Sequence, residues 1–126
     1  MPPDTCADRF YTALLNADWD TAAQLVTDDL TVVEAPGLPF GGTYHGIAGL
    51  KSLVRSVFAN FQHLKVTPMS ITANHDNAAV LIRAEGLGLT TGKPFDTLIC
   101  EWLTFRDNRI ATITPFYWDE QLINTL

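Results

Sequence analysis

The stretch Thr97-Leu98-Ile99-Cys100-Glu101-Trp102-Leu103-Thr104-Phe105-Arg106-Asp107-Asn108-Arg109-Ile110-Ala111-Thr112-Ile113-Thr114-Pro115-Phe116-Tyr117-Trp118 decides the fold. Two runs rich in β-branched and aromatic residues flank the polar pair Asp107-Asn108, which is the pattern of a β-hairpin with a two-residue turn. Such a turn pairs Phe105 with Ile110, Leu103 with Thr112, Glu101 with Thr114 and Ile99 with Phe116. Glu101 and Leu103 then share a face with Thr114, Phe116 and Trp118. The same period of two runs back to Leu64, with further turn signals at Asn74-His75-Asp76-Asn77 and Thr91-Gly92-Lys93-Pro94. Four consecutive antiparallel strands follow. In the first of them the apolar parity changes across Pro68, which predicts a bulge.

Upstream of the strands the period is helical. Ile47, Leu50, Val54, Val57, Phe58 and Phe61 form one apolar stripe on a helix from about Ile47 to Asn60. Ala7, Phe10, Tyr11 and Leu14 follow the capping-box spacing Thr5 to Asp8 and predict a first helix over Asp4 to Asn16. Asp18 or Asp20 can cap a short second helix carrying Ala22, Leu25 and Val26. Leu30 to Ala35 reads as a short strand stopped by Pro36, with Leu30, Val32 and Glu34 on one face. Helices first and strands last give the α+β class, with three N-terminal helices covering one face of a curled antiparallel sheet.

The chain has 126 residues, 47% of them hydrophobic, a length and composition that suit one compact domain over 1–126. Its charge of −6, with eight dispersed basic residues, lacks the concentrated positive face that nucleic acid requires. The longest apolar run, Ala78 to Ile82, is far below the roughly 18 residues of a membrane span, and no signal-peptide pattern is visible, so a cytoplasmic location is expected. Cys6 and Cys100 lie far apart and read as reduced core residues. His45, His63 and His75 show no ligand spacing, so neither a metal nor a cofactor is expected.

Glu101 is the most informative residue, because an ionised carboxylate inside an apolar strand needs a partner. Parity alone leaves it either in a pocket or on the outer sheet surface. A two- or four-residue turn at Thr91 to Pro94 places Ala84 opposite Glu101 and Gly86 opposite Ile99, leaving room beside the carboxylate; the glycines otherwise only mark curvature. Glu34, at a strand end on the Leu30 and Val32 face, can reach the same space or sit solvated at the loop edge. Tyr11 can aim its hydroxyl inward or hold it at the surface. The expected lining beyond these groups is Phe10, Tyr44, His45, Phe58, Ala84, Gly86, Leu103, Thr114, Phe116 and Trp118. Arg83 and Trp102 then meet on the opposite face, which is apolar enough to predict a homodimer.

Several strings resemble the NTF2-like superfamily in its SnoaL-like and ketosteroid-isomerase-like branch. They are Phe10-Tyr11 through Asn16-Ala17-Asp18-Trp19-Asp20, Asp28-Asp29-Leu30-Thr31-Val32-Val33-Glu34, Pro39-Phe40-Gly41-Gly42-Thr43-Tyr44-His45-Gly46 and Ile113-Thr114-Pro115-Phe116-Tyr117-Trp118-Asp119. The resemblance covers nearly the whole chain and implies a cone-shaped sheet with helices on its concave side. It places the isomerase's general base on Glu34 and its neutral carboxylic acid on Glu101, a logic for which ketosteroid isomerase is itself the standard illustration. The isomerase's tyrosine falls on Tyr11 with a gap at Ala17-Asp18 and on Phe10 without one. Two functions fit: carboxylate acid–base chemistry of isomerase, cyclase, dehydratase or hydrolase type on a small apolar carbonyl or polycyclic substrate, or a non-enzymatic module binding an apolar ligand or a protein.

Overall fold

The computed structural model describes residues 1–126. Helix α1 (Pro3–Leu15) starts at a proline whose missing N–H costs nothing in the first turn, and Thr5 lies inside the helix. The expected Thr5 cap is therefore corrected: the N-cap is Pro2, three residues earlier. Asp18 caps α2 (Trp19–Leu25) by accepting from the Thr21 N–H at 3.2 Å. β1 (Val26–Glu34) begins earlier than expected, and a four-residue strand, β2 (Gly42–His45), precedes α3 (Gly46–Ala59). The meander is β3 (Phe61–Ala73), β4 (Asn77–Gly88), β5 (Pro94–Arg106) and β6 (Arg109–Tyr117), and a fourth helix, α4 (Glu120–Asn124), follows it.

The six strands form one sheet in the order β2-β1-β6-β5-β4-β3, antiparallel except for the parallel pair β1–β6. Helices α1 and α3 pack on its inner face, where Phe10, Leu30, Val32, Val80, Leu103 and Ile113 are buried. The predicted bulge at Pro68 is present as a register shift between Pro68 and Ser70.

Two register findings decide which residues meet. Asp107 and Asn108 both have positive φ, as a two-residue hairpin turn demands, and Phe105 pairs with Ile110 as expected. Immediately afterwards Thr104 pairs with Thr112, so Ala111 is an extra residue in β6. Every later residue of β6 consequently changes face: Ile113, Pro115 and Tyr117 point inward, whereas Thr114, Phe116 and Trp118 do not.

The β4–β5 connection is also longer than expected, the last pair being Leu87 with Pro94. Val80 lies opposite Glu101 and Ile82 opposite Ile99, four residues from the expected partners Ala84 and Gly86. An even shift preserves the faces, so Glu101 still points inward while Trp102 is 41% exposed on the outer face. Arg83 is opposite Leu98 instead of Trp102, and its guanidinium is held by Asp96 through two hydrogen bonds of 2.9 and 2.5 Å. The expected Arg83–Trp102 contact is thus replaced by an ion pair.

The loop after Glu34 turns back tightly at Gly41, where a Cβ would meet the Ala35 carbonyl oxygen and lie 2.9 Å from the Pro36 Cα. Both neighbours are backbone and cannot give way as a side chain would. Gly41→Ala is expected to cost about 1–3 kcal/mol, as overpacking does, and to lower the thermal midpoint by several degrees. An unchanged midpoint in a melting experiment would show that the loop relaxes freely.

Candidate functional site

A cavity of ≈110 Å³ lies between the inner sheet face and helices α1 and α3. Helix α1 contributes Phe10, Tyr11, Leu14 and Leu15, and α3 contributes Leu50, Leu53, Val54, Val57 and Phe58. The sheet closes it with Val32 and Glu34 from β1, Ile99 and Glu101 from β5, and Ile113, Pro115 and Tyr117 from β6; Val66 and Ile82 complete the wall. Leu15 and Phe58 are lining residues that remain exposed, so they mark the mouth between the two helices.

The topology brings the two carboxyl groups together. Val32 sits beside Ile113 across the parallel β1–β6 pair, so Glu34, two residues further along, comes alongside Pro115. Glu101 is opposite Pro115 from the other side. Strand β6 therefore stands between the two acids, and the extra residue Ala111 sets that alignment.

The acids have different surroundings. Glu34 is 4% exposed and its Oε1 has no hydrogen-bond partner. Burial, reinforced by the nearby Glu101 charge, pushes its carboxyl up to about 8. Glu101 accepts a short hydrogen bond from the Tyr11 hydroxyl. Burial raises the Glu101 carboxyl above its usual range, and the Tyr11 hydrogen bond partly opposes that rise. The Tyr11 phenol is driven well above its ordinary value by burial and then by Glu101. Tyr117 also lines the cavity, and its phenol is raised by burial and then by both glutamates.

Of the expected lining, Phe10, Tyr11, Glu34, Phe58 and Glu101 meet in this cavity. The others stand elsewhere. Tyr44 donates its hydroxyl to the Phe40 carbonyl at 2.8 Å, and His45 is exposed at the start of α3. Ala84 is buried in the core, and Gly86 lies where β3 approaches: a Cβ there would be 3.0 Å from the Gln62 carbonyl oxygen. Leu103 is fully buried in the core. Thr114 is on the outer face; Phe116 is 60% and Trp118 83% exposed. The bulge accounts for the last three, and the longer β4–β5 loop for Ala84 and Gly86. Tyr117, a polar lining residue absent from the expected set, comes inward through the same bulge.

No basic residue lines the cavity, and no group of three or more His, Cys, Asp or Glu is arranged to hold a metal ion. No helix is long and apolar enough to cross a membrane.

A search of curated protein sequences finds no match. Among solved structures, an NTF2-like protein of Burkholderia thailandensis E264 superimposes with a TM-score of 0.88 at 18% identity, over 99% of this chain and 96% of that one. A putative SnoaL-like polyketide cyclase from Jannaschia sp. CCS1 gives 0.74 at 17% identity, over 98% and 93%. A hypothetical protein with a ketosteroid-isomerase-like fold from Catenulispora acidiphila DSM 44928, in complex with trimethylamine, gives 0.73 at 17% identity, over 93% and 87%. At such identities the likeness shows a common fold. The SnoaL-like domain family matches residues 7–113, most of the chain and all of the cavity-forming elements up to the middle of β6, and the chain belongs to that family.

Proposed function

We propose that the cavity carries out carboxylate acid–base chemistry on a small apolar carbonyl compound, in the manner of an isomerase or cyclase. The observation that carries this reading is Glu34, a buried carboxyl with an unpartnered oxygen, facing the same enclosed space as the Glu101–Tyr11 pair. Two carboxyls with different partners can divide the work of base and acid. In this scheme ionised Glu34 takes a proton from the carbon next to the carbonyl. Neutral Glu101 donates to the oxygen on which charge develops, and Tyr11, hydrogen-bonded to Glu101 Oε1, holds that acid in place. Returning the proton from Glu34 to a different carbon completes an isomerisation. The enclosed volume suits a single ring, and a polycyclic compound would extend through the mouth between Leu15 and Phe58. SnoaL-like family membership and the cyclase-like and isomerase-like neighbours support the class of chemistry. Proton NMR of a panel of monocyclic ketones in D₂O is the test: catalysed loss of the signal next to the carbonyl is expected. Saturable binding without exchange would instead support a non-enzymatic binding module.

The assembly proposed is a homodimer through the outer sheet face, which carries the exposed Leu98, Trp102 and Phe116 on adjoining strands. Apolar side chains grouped in this way favour burial against a second copy. Sedimentation should give a dimer for the native chain and a folded monomer for Trp102→Glu. A dimer that survives the substitution would rule out this face.

A further inference from the structure

The polar side-chain groups on the cavity wall are two carboxyls, Glu34 and Glu101, and two phenol hydroxyls, Tyr11 and Tyr117. Lysine, arginine and histidine are absent from it. The groups facing Glu34 are Glu101 from β5, Tyr11 from α1 and Tyr117 from β6, and the neighbouring Glu101 charge opposes its ionisation. The Tyr11 hydroxyl is already engaged with Glu101, and Glu34 Oε1 is buried and unpartnered. A carboxylate in such a place is either neutralised or paired. The protein provides no partner, and the remaining wall is hydrocarbon.

We propose that this cavity receives a small lipophilic amine as its ammonium ion, with the N–H donating to Glu34 and the apolar part filling the aliphatic wall. This names a ligand class for the acid–base site and rests on that reading of where ligands bind. The ammonium supplies the positive charge that the wall lacks and pairs with the Glu34 carboxylate, which has no protein partner. A single-ring amine matches an enclosure of ≈110 Å³. Binding is coupled to a proton. Glu34 carries its proton up to about pH 8, so below that pH each ammonium ion that enters displaces one proton to solvent.

The test uses N-methylpiperidine as the cation and cyclohexanone as a neutral compound of similar size, titrated calorimetrically into the native protein between pH 6 and 8.5. Amine affinity is expected to rise by about tenfold per pH unit at the acidic end and to level off near pH 8. Buffers of different ionisation enthalpy should report close to one proton released per amine at pH 6. Cyclohexanone affinity should be flat across the same range. Glu34→Gln, checked for fold by circular dichroism, should weaken the amine by about tenfold or more and abolish its pH dependence. The native pH series decides the matter even if that variant does not fold. Amine binding that is independent of pH, or undiminished in a folded Glu34→Gln, overturns the proposal. If cyclohexanone binds and the amine does not, the ligand class falls and the acid–base site stands. If neither binds, both fall.

Discussion

Glu34→Gln is expected to slow proton exchange next to a bound ketone's carbonyl by about 10²–10⁴-fold, the range for loss of a positioned general base. The amide has nearly the same volume as the acid and cannot accept the proton. Because Glu34 titrates near 8, the native rate should climb from pH 6 and flatten above pH 8, and the variant's residual rate should lack that rise. Glu101→Gln removes the acid and leaves the base, so the loss should be about 10²–10³-fold, as for removal of a donor to a developing oxyanion. Tyr11→Phe should have a smaller effect, since Tyr11 acts through its hydrogen bond to Glu101. Full turnover in both glutamine variants would remove the mechanism.

Stability should fall as the solution becomes more alkaline, the reverse of the usual effect of paired carboxylates. The folded Glu34 pKa is about 8 and the ordinary value is 4.5. Below 4.5 both folded and unfolded chains hold the proton. Between 4.5 and 8 only the folded chain holds it, so unfolding releases a proton and each rise in pH favours the unfolded state. Above 8 the loss is complete. The difference of pKa corresponds to on the order of 5 kcal/mol, a large part of a typical domain stability of about 5–15 kcal/mol. Glu101 is raised by burial too and acts in the same direction. Urea unfolding at pH 5.5 and pH 8.5 should show a much lower midpoint at the higher pH. In Glu34→Gln most of that difference should disappear, and the variant should be the more stable protein at pH 8.5. A native midpoint that holds steady or rises over this interval would contradict the burial of Glu34.

The elements that the sequence revealed are those whose periodic pattern is long. The stripe from Ile47 to Phe61 marked α3, and the alternation from Leu64 onward marked the meander. The strand β2 is four residues long and α4 is five, too short for either period to register. Parity left Glu101 open between pocket and outer surface; the even error in the β4–β5 register preserves side-chain direction, so the pocket alternative survived the wrong pairing. Tyr117 was not recoverable. The β-bulge at Ala111 interrupts the β5–β6 hairpin just where β6 also meets β1, a strand remote in sequence, and local alternation carries no sign of that second contact. The burial of Glu34 likewise depends on helices packing over a strand end, whereas local composition only marks it as charged.

The extra residue Ala111 also bears on how such a cavity can diversify. Along β6 the alternation places Ile113, Pro115 and Tyr117 on one side and Thr112, Thr114 and Phe116 on the other. One strand thus carries two alternative linings, an aliphatic one ending in a phenol and a hydroxyl-bearing one ending in a phenyl ring. The choice between them is made by strand length at a single point near the turn, upstream of every β6 residue that reaches the ligand space. An insertion or deletion at that point exchanges several wall residues in one genetic event while the helices and the other strands keep their places. Lineages that share this architecture can therefore alter cavity chemistry by counting residues as well as by substituting them, and an alignment that slides a gap past Ala111 would compare side chains that face opposite worlds.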